Sequence, residues 1–355
     1  MASGLEGVVA AETVLSDVRG EVGELVIRGY RLDELAGRRS FEQVAHLLFA
    51  GFFDNLPDEQ VFAARLGSTR AELFDAIHPA LPGLAQLPPY DGVRALVAGL
   101  ADTSGLDDAF RLLALPAVAL PALVRQRDGL DPIFPDPTLG HAADVVRMLG
   151  RDAGAGALDA YLATVSDHGL NASTFAARVV ASTQAGLTSA VLAGYSALKG
   201  PLHGGAPGPV IDMLDAIAEE GDAAAWISRA FDRGDRLMGF GHRIYRTRDP
   251  RADVLKAQVA KLAGSSERLA FAEQVEQVAL AELRRRKPDR VLDTNVEFYT
   301  ALLLEAVGFP KDCFTAVFAM GRTAGWLAHA REQAMTGRVI RPASRYIEPP
   351  RQQAA

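Results

Sequence analysis

The stretch Ser40-Phe-Glu-Gln-Val-Ala-His-Leu-Leu-Phe49 decides the fold class. Its apolar residues Phe41, Val44, Ala45 and Leu48 recur at the three- and four-residue spacing of one helix face, and Ser40 stands where an N-cap belongs. The same period governs the chain from there onward. A Thr69-Arg-Ala-Glu72 capping box marks the start of the next helix, and another helix is expected over residues 295 to 307. Strand signals are confined to Gly23 to Leu32 and Arg338 to Ile347, pieces that suit small edge ribbons rather than a central sheet. The expected architecture is mainly α with minor short β ribbons, not a doubly wound α/β sheet.

The 355 residues allow two or three domains, and a composition of 49% hydrophobic and 23% charged residues suits a globular protein with a sizeable core. The net charge of −7 and the pI near 5.6, with basic residues scattered, exclude the electrostatic footprint of a nucleic-acid or anionic-membrane binder. Anionic substrates would therefore need local arginines. A single cysteine, Cys313, excludes an intrachain disulfide and a thiolate metal cluster, and fits a reducing compartment, the cytoplasm by default. The first seven residues lack the basic and apolar regions of a signal peptide. The longest apolar run, Leu112 to Val124, is interrupted by Pro116 and Pro121 and falls short of the roughly 18 to 20 residues of a spanning helix.

From Asn171 to Leu198 two helices rich in Ala, Ser, Thr and Gly are expected, close-packing either across an oligomer seam or as an intramolecular pair. A Gly/Pro cluster at Gly200 to Pro209 and a second break at Gly308 and Pro310 bracket a segment that would form a separate lobe.

Three polar clusters could carry chemistry. His203 lies in the irregular Gly200-Pro-Leu-His-Gly-Gly-Ala-Pro207, where tight backbone turns place side chains; it is either a functional residue or a structural or surface histidine. His242, in Met238-Gly-Phe-Gly-His-Arg-Ile-Tyr-Arg-Thr-Arg-Asp-Pro-Arg251, is followed by four arginines that could hold phosphates or carboxylates or form a solvated basic turn. Asp249 and Pro250 look like an N-cap and first helical residue, so Arg251 falls in a first turn where a cation is unfavourable without an anion nearby. Glu297, in Thr294-Asn-Val-Glu297, also reads as the last residue of a capping box. His168 follows Asp167 at the start of the small-residue helices. Arg322 sits in an apolar helical stretch, Met320-Gly-Arg-Thr-Ala-Gly-Trp326, and needs an anionic or hydrogen-bonding partner there. No metal-ligand spacing such as His-Glu-x-x-His occurs, so no metal is expected.

Taken in order over almost the whole chain, these segments resemble the citrate synthase family. The resemblance is carried by Gly4-Leu-Glu-Gly-Val-Val-Ala-Ala-Glu-Thr13, Gly23-Glu-Leu-Val-Ile-Arg-Gly-Tyr30, Ser166-Asp-His-Gly-Leu-Asn-Ala-Ser-Thr-Phe175 and Lys199-Gly-Pro-Leu-His-Gly-Gly205. It continues through Gly239-Phe-Gly-His-Arg-Ile-Tyr245, Asp249-Pro-Arg251, Asn295-Val-Glu-Phe-Tyr299, Gly321-Arg-Thr-Ala-Gly-Trp326 and Ile340-Arg-Pro342.

The resemblance implies a two-domain helical homodimer. A large domain would comprise 1–203 and 310–355, and a small domain, 204–309, would close over the substrates. It implies condensation of acetyl-CoA with oxaloacetate and water to citrate and CoA, with the CoA thioester as substrate and no tightly bound cofactor. The implied catalytic residues are His203, His242 and Glu297, with His168, Arg251, Arg322 and Arg341 on oxaloacetate, Arg341 reaching in from the other subunit. The CoA contacts would be Gly239, Phe240, Gly241, Arg246 and Lys287. The alternatives are 2-methylcitrate synthase, which uses propionyl-CoA, and a catalytically idle ligand-binding paralogue. Position 297 departs from the family's usual Asp, and Pro207 stands where Asn is common. The extra methylene displaces a carboxylate by more than about 1 Å, and misplacement on that scale is worth about 100-fold in rate unless the backbone compensates.

Overall fold

Ser40 caps the helix that opens the helical body. Its Oγ accepts from the Gln43 amide at 3.3 Å while the Gln43 side chain accepts from the Ser40 amide at 3.0 Å, a reciprocal box. Phe41, Val44, Ala45 and Leu48 are all buried. The computed structural model describes residues 3–5, 7–201, 203–204, 207–241, 247–262 and 266–348. Ahead of that body lies an antiparallel ribbon, β1 (Ser16–Arg19), β2 (Glu24–Ile27) and β3 (Tyr30–Arg31), with Asp17 opposite Val26 and Ile27 opposite Tyr30. The expected piece Gly23 to Leu32 is thus a hairpin and not one strand: Arg28 and Gly29 turn it at positive φ, and Leu32 already begins a helix.

The helices follow as α1 (Leu32–Leu35), α2 (Phe41–Phe49), α3 (Glu59–Ile77), α4 (Leu81–Leu84), α5 (Pro89–Ala98) and α6 (Leu106–Arg127). The proposed cap at Thr69 is overturned. Asp58 caps α3, and Thr69 sits mid-helix with its hydroxyl donating to the Arg65 carbonyl at 2.8 Å. The local pattern fits both situations; what carries the helix past Thr69 is the continuous face of Phe62, Leu66, Leu73 and Phe74. Pro116 and Pro121 lie inside α6, whose span from Leu112 to Val124 is wholly buried by neighbours including α3, α5 and α16. No helix among the described residues is long and apolar enough to cross a membrane.

Next come α7 (His141–Met148), α8 (Ala155–Val165), α9 (Ala172–Ala181) and α10 (Leu187–Leu198). The small-residue segment does form two helices, packed on each other within the chain. After the Gly/Pro break, α11 (Pro207–Glu220), α12 (Ala223–Asp232), α13 (Pro250–Val259), α14 (Ser266–Arg286) and α15 (Val296–Val307) lead to Gly308, which ends α15 at φ +98°. The long α16 (Phe314–Thr336) returns to pack on α6, α8, α9 and α10.

The tail departs from expectation. Residues 337–348 have no regular secondary structure and are largely exposed, although Arg338 to Ile347 reads as a strand. Strand propensity expresses itself only against a partner edge, and among the described residues no strand pairs with this segment.

Candidate active site

Two glycines bring α16 against α8. A Cβ on Gly321 would stand 2.7 Å from a Val165 methyl, and one on Gly325 would stand 2.2 Å from the Ser166 carbonyl. This crossing sets Arg322 fully inside the protein, where its Nε donates to the Val165 carbonyl at 2.6 Å and its guanidinium lies 4.8 Å from the Phe318 ring centroid. Its Nη1 and Nη2 are buried without a hydrogen-bond partner among the described residues. Burial, opposed by the Asp167 charge, draws its pKa down to about 10. A planar two-donor edge left unpaired in the interior is a socket for a carboxylate.

The turn after α8 carries Asp167 and His168. Asp167 accepts from Ser16 Oγ at 2.5 Å and from His329 Nε2 at 3.1 Å. Burial works against its charge, yet His329, Ser16 and Arg322 hold its pKa below the usual carboxylate range. His329 Nδ1 faces Arg178 Nη1 at 2.8 Å. An arginine can only donate, so Nδ1 accepts and the His329 proton sits on Nε2, toward Asp167. His168 Nε2 lies 3.3 Å from Asn171 Nδ2, and Asn171 Oδ1 caps α9 through the amides of Ser173 and Thr174, each at 3.0 Å.

The same cap reaches His203. The His203 Nε2 lies 2.8 Å from Ser173 Oγ and 3.3 Å from the Ser173 amide. A backbone amide can only donate, which makes Nε2 the acceptor and puts the ring proton on Nδ1. Burial, reinforced by the Arg322 charge, lowers the His203 pKa to about 4, so the ring is neutral near pH 7. Gly204 is required beside it, because a Cβ there would meet the Leu198 carbonyl at 2.3 Å.

Glu297 is set by a third cap. Asn295 Oδ1 accepts from the Glu297 amide at 3.0 Å, and its Nδ2 donates to the Gly241 carbonyl at 2.9 Å. The Asn295 amide donates to the Gly239 carbonyl at 2.9 Å and the Gly241 amide to the Asp293 carbonyl at 2.7 Å. Residues 239–241, which lead to position 242, are therefore laid along the start of α15. Gly239 is at φ +83° with Phe298 where a Cβ would go. The capping-box reading of Glu297 is corrected: Asn295 is the cap, and Thr294 Oγ1 donates instead to Glu276 at 2.6 Å. Glu297 is half-buried; burial raises its pKa, Arg251 opposes that, and Asp249 adds to it.

Asp249 caps α13, as the sequence predicts, and supplies the anion that Arg251 needs. Its carboxylate takes Arg251 Nε at 2.9 Å and Nη2 at 2.8 Å, and also accepts from the Val296 amide at 3.1 Å. The starts of α13 and α15 are thereby joined.

The structure thus gathers His168, His203, Arg251, Glu297 and Arg322 around α8, α13, α15 and α16. His242 and Arg246 lie outside the described residues. Arg341 is exposed in the tail, and among the described residues no hydrogen bond or ion pair links it to the cluster. Lys287 is exposed too, with Nζ 5.7 Å from the Phe231 ring centroid. Beside it Arg284, Pro288, Arg290, Val291, Leu292 and Asp293 line a shallow pocket. Ser173 and Asn295, which orient two of the candidate residues, are not singled out by the sequence; both stand in quoted motifs, Asn295 as the cap of α15 and Ser173 in the first turn of α9. No cluster of His, Cys, Asp and Glu able to hold a metal occurs among the described residues.

A family profile described as "Citrate synthase, C-terminal domain" matches residues 4–343. The chain belongs to the citrate synthase family. It is 37% identical to the citrate synthase of Haloferax volcanii, over 97% of this chain and 94% of the relative. To the 2-methylcitrate synthase of Mycobacterium tuberculosis it is 35% identical, over 97% and 89%. The crystal structure of citrate synthase from Thermotoga maritima superposes with a TM-score of 0.88 at 31% identity, covering 99% of this chain and 97% of that one. The Thermoplasma acidophilum citrate synthase, solved as a ternary complex with carboxymethyl coenzyme A and oxaloacetate, superposes with a TM-score of 0.88 at 27% identity, covering 100% and 98%. The mainly α architecture is that of the citrate synthases, and the protein is an enzyme that transfers an acyl group in a condensation.

Proposed function

We propose that this enzyme condenses acetyl-CoA with oxaloacetate and water to give citrate and CoA. The observation that carries this reading is the buried, unpaired guanidinium edge of Arg322 in one cluster with a neutral histidine and a carboxylate of raised pKa. An enzyme that makes an enolate needs all three: a socket for an anionic electrophile, a base, and a donor where negative charge develops.

In this assignment Glu297 removes a proton from the thioester methyl, and the Nδ1–H of His203 donates to the thioester carbonyl as charge grows on its oxygen. A methyl next to a thioester is a weak carbon acid, so base and donor must act together. His242 polarises the ketone of oxaloacetate, making it electrophilic toward the enolate; hydrolysis of the resulting citryl-CoA releases both products. Arg322, Arg251 and His168 hold the oxaloacetate carboxylates, with Arg341 contributed by the second chain of a homodimer. Backbone at Gly239, Phe240 and Gly241, with Arg246 and Lys287, takes the CoA. The large domain is 1–203 with 310–355, the small closing domain is 204–309, and the protein works in the cytoplasm.

A second acyl group is favoured by the mycobacterial relative named 2-methylcitrate synthase. One methyl in an apolar pocket changes specificity by about 1–3 kcal/mol. The test follows thiol release with oxaloacetate present. A higher kcat/KM for acetyl-CoA supports the proposal, and a higher value for propionyl-CoA replaces it with the 2-methyl reaction. No release with either, with ligand binding intact, leaves an idle paralogue.

A further inference from the structure

The mechanism above leaves the buried hydroxyl of Tyr161 unused. Tyr161 lies on α8 one helical turn before Val165, whose carbonyl anchors Arg322. Its side chain is fully buried, and among the described residues its hydroxyl has no hydrogen-bond partner. Thr300, one turn along α15 from Glu297, is near enough to act on the phenol, but the pair does not reach hydrogen-bond geometry.

The surroundings of this hydroxyl identify its purpose. Burial raises the phenol pKa; the charged groups that also act on it are Arg322 first, then Glu297 and Arg251. Reciprocally, Tyr161 is among the groups that act on Arg322. The approach of α16 to α8 at Gly321, within 3.0 Å of the Leu162 carbonyl for a Cβ there, brings the two side chains together. Two unsatisfied donors, a phenol on α8 and a guanidinium edge on α16, thus lie at the same crossing of these helices. A phenylalanine would fill the same volume without burying an unsatisfied hydroxyl, a group that costs free energy wherever it has no partner.

We infer that the Tyr161 hydroxyl is a substrate contact, donating a hydrogen bond to the same carboxylate of the bound dicarboxylate that the Arg322 edge receives. The inference rests on the functional reading above. With a carboxylate in place both orphans are satisfied: one oxygen lies against the guanidinium fork, and the phenol takes a remaining lone pair. Without Tyr161 that lone pair is stranded in a dry interior.

The test is Tyr161→Phe, measured by titration calorimetry with oxaloacetate and by thermal melting with and without it. A hydrogen bond to a charged group corresponds to at least about a tenfold loss of oxaloacetate affinity. The expected result is that weakening, together with an unchanged or higher melting temperature for the ligand-free variant and a smaller shift on adding oxaloacetate. An oxaloacetate affinity equal to that of the unsubstituted enzyme overturns the inference, whatever the melting temperature does, and returns Tyr161 to helix packing. Failure of the unsubstituted enzyme itself to bind oxaloacetate would sink the functional reading instead, so the two failures are separable.

Discussion

His203 and Glu297 are both pushed by their surroundings toward their neutral forms, with opposite consequences. For His203, burial keeps the pKa near 4, below the ordinary 6.5, so the ring is able to donate a hydrogen bond without carrying charge. Its folded pKa is depressed, so between 6.5 and about 4 the unfolded chain binds the proton more readily, and the stability it contributes above that window is lost as pH falls through it. For Glu297, burial raises the pKa above 4.5 and makes the carboxylate a stronger base. Folding is then favoured by the protonated form, and that contribution is lost as pH rises through the folded pKa. Above that pKa the ionised Glu297 carboxylate therefore costs stability. Glu297→Gln should therefore lower kcat by about 10²–10⁴-fold, the usual worth of a positioned base. Oxaloacetate affinity should stay near that of the parent enzyme, and melting at pH 7 should be equal or higher. The parent kcat/KM should fall on the acid side with an apparent pKa above that of an ordinary glutamate. Undiminished turnover by the glutamine variant would return position 297 to helix capping. Melting curves and a pH–rate profile decide between them.

At the scale of elements, three caps place the chemistry: Asn171 at α9, Asp249 at α13 and Asn295 at α15. Asn295 does two tasks at once, closing the first turn of α15 and tying down the Gly241 carbonyl. Asn295→Ala should destabilise the protein by about 1 kcal/mol through the lost cap. It should also lower turnover further than that loss alone accounts for, because the segment leading to position 242 loses its side-chain tether. A melting temperature lowered with kcat unchanged would show that the tether has no part in catalysis. Such caps also mark how far the sequence could be read. Ser40 is legible because a short polar residue precedes an apolar periodic run, and Asp249 because Pro250 fixes the first helical position after it; its carboxylate keeps the cap while also holding Arg251 and the Val296 amide. Thr69 misled because the same residue pattern is compatible with a helix interior once the apolar face continues on both sides. Thr294 misled because its hydroxyl is claimed by Glu276, 18 positions away in sequence, which no local pattern contains. The candidate residues around Arg322 were legible as a need for a partner in an apolar helix. That the guanidinium edge is left open, and that Tyr161 stands beside it, depends on the crossing of α16 over α8, which the spacing of Gly321 and Gly325 permits but does not announce.

At the scale of the whole molecule, the site gathered within one chain lacks Arg341, and both chain ends leave large apolar side chains in water. Tyr346 and Ile347 are 77% and 80% exposed and Val9 is 84% exposed, although the tail is held at its root, where the Ile340 amide donates to Ser182 Oγ at the end of α9 at 3.0 Å. Among the described residues this segment, rich in strand formers, has no partner edge, and its root adjoins the end of α9. If Arg341 completes the partner's site in a twofold dimer, then Arg341→Ala and Glu297→Gln homodimers are each inactive for different reasons. A mixed dimer contains one site with both groups intact: the body of the Arg341→Ala chain keeps its Glu297 and receives Arg341 from the other chain. Co-refolding equal amounts of the two inactive variants should restore about a quarter of the parent activity, since about half the dimers are mixed and each mixed dimer has one complete site. If Arg341 instead served its own chain, every mixed dimer would carry one site without the base and one without the arginine. Activity after mixing would then stay at the level of the separate variants, which is the outcome that would remove Arg341 from the interface.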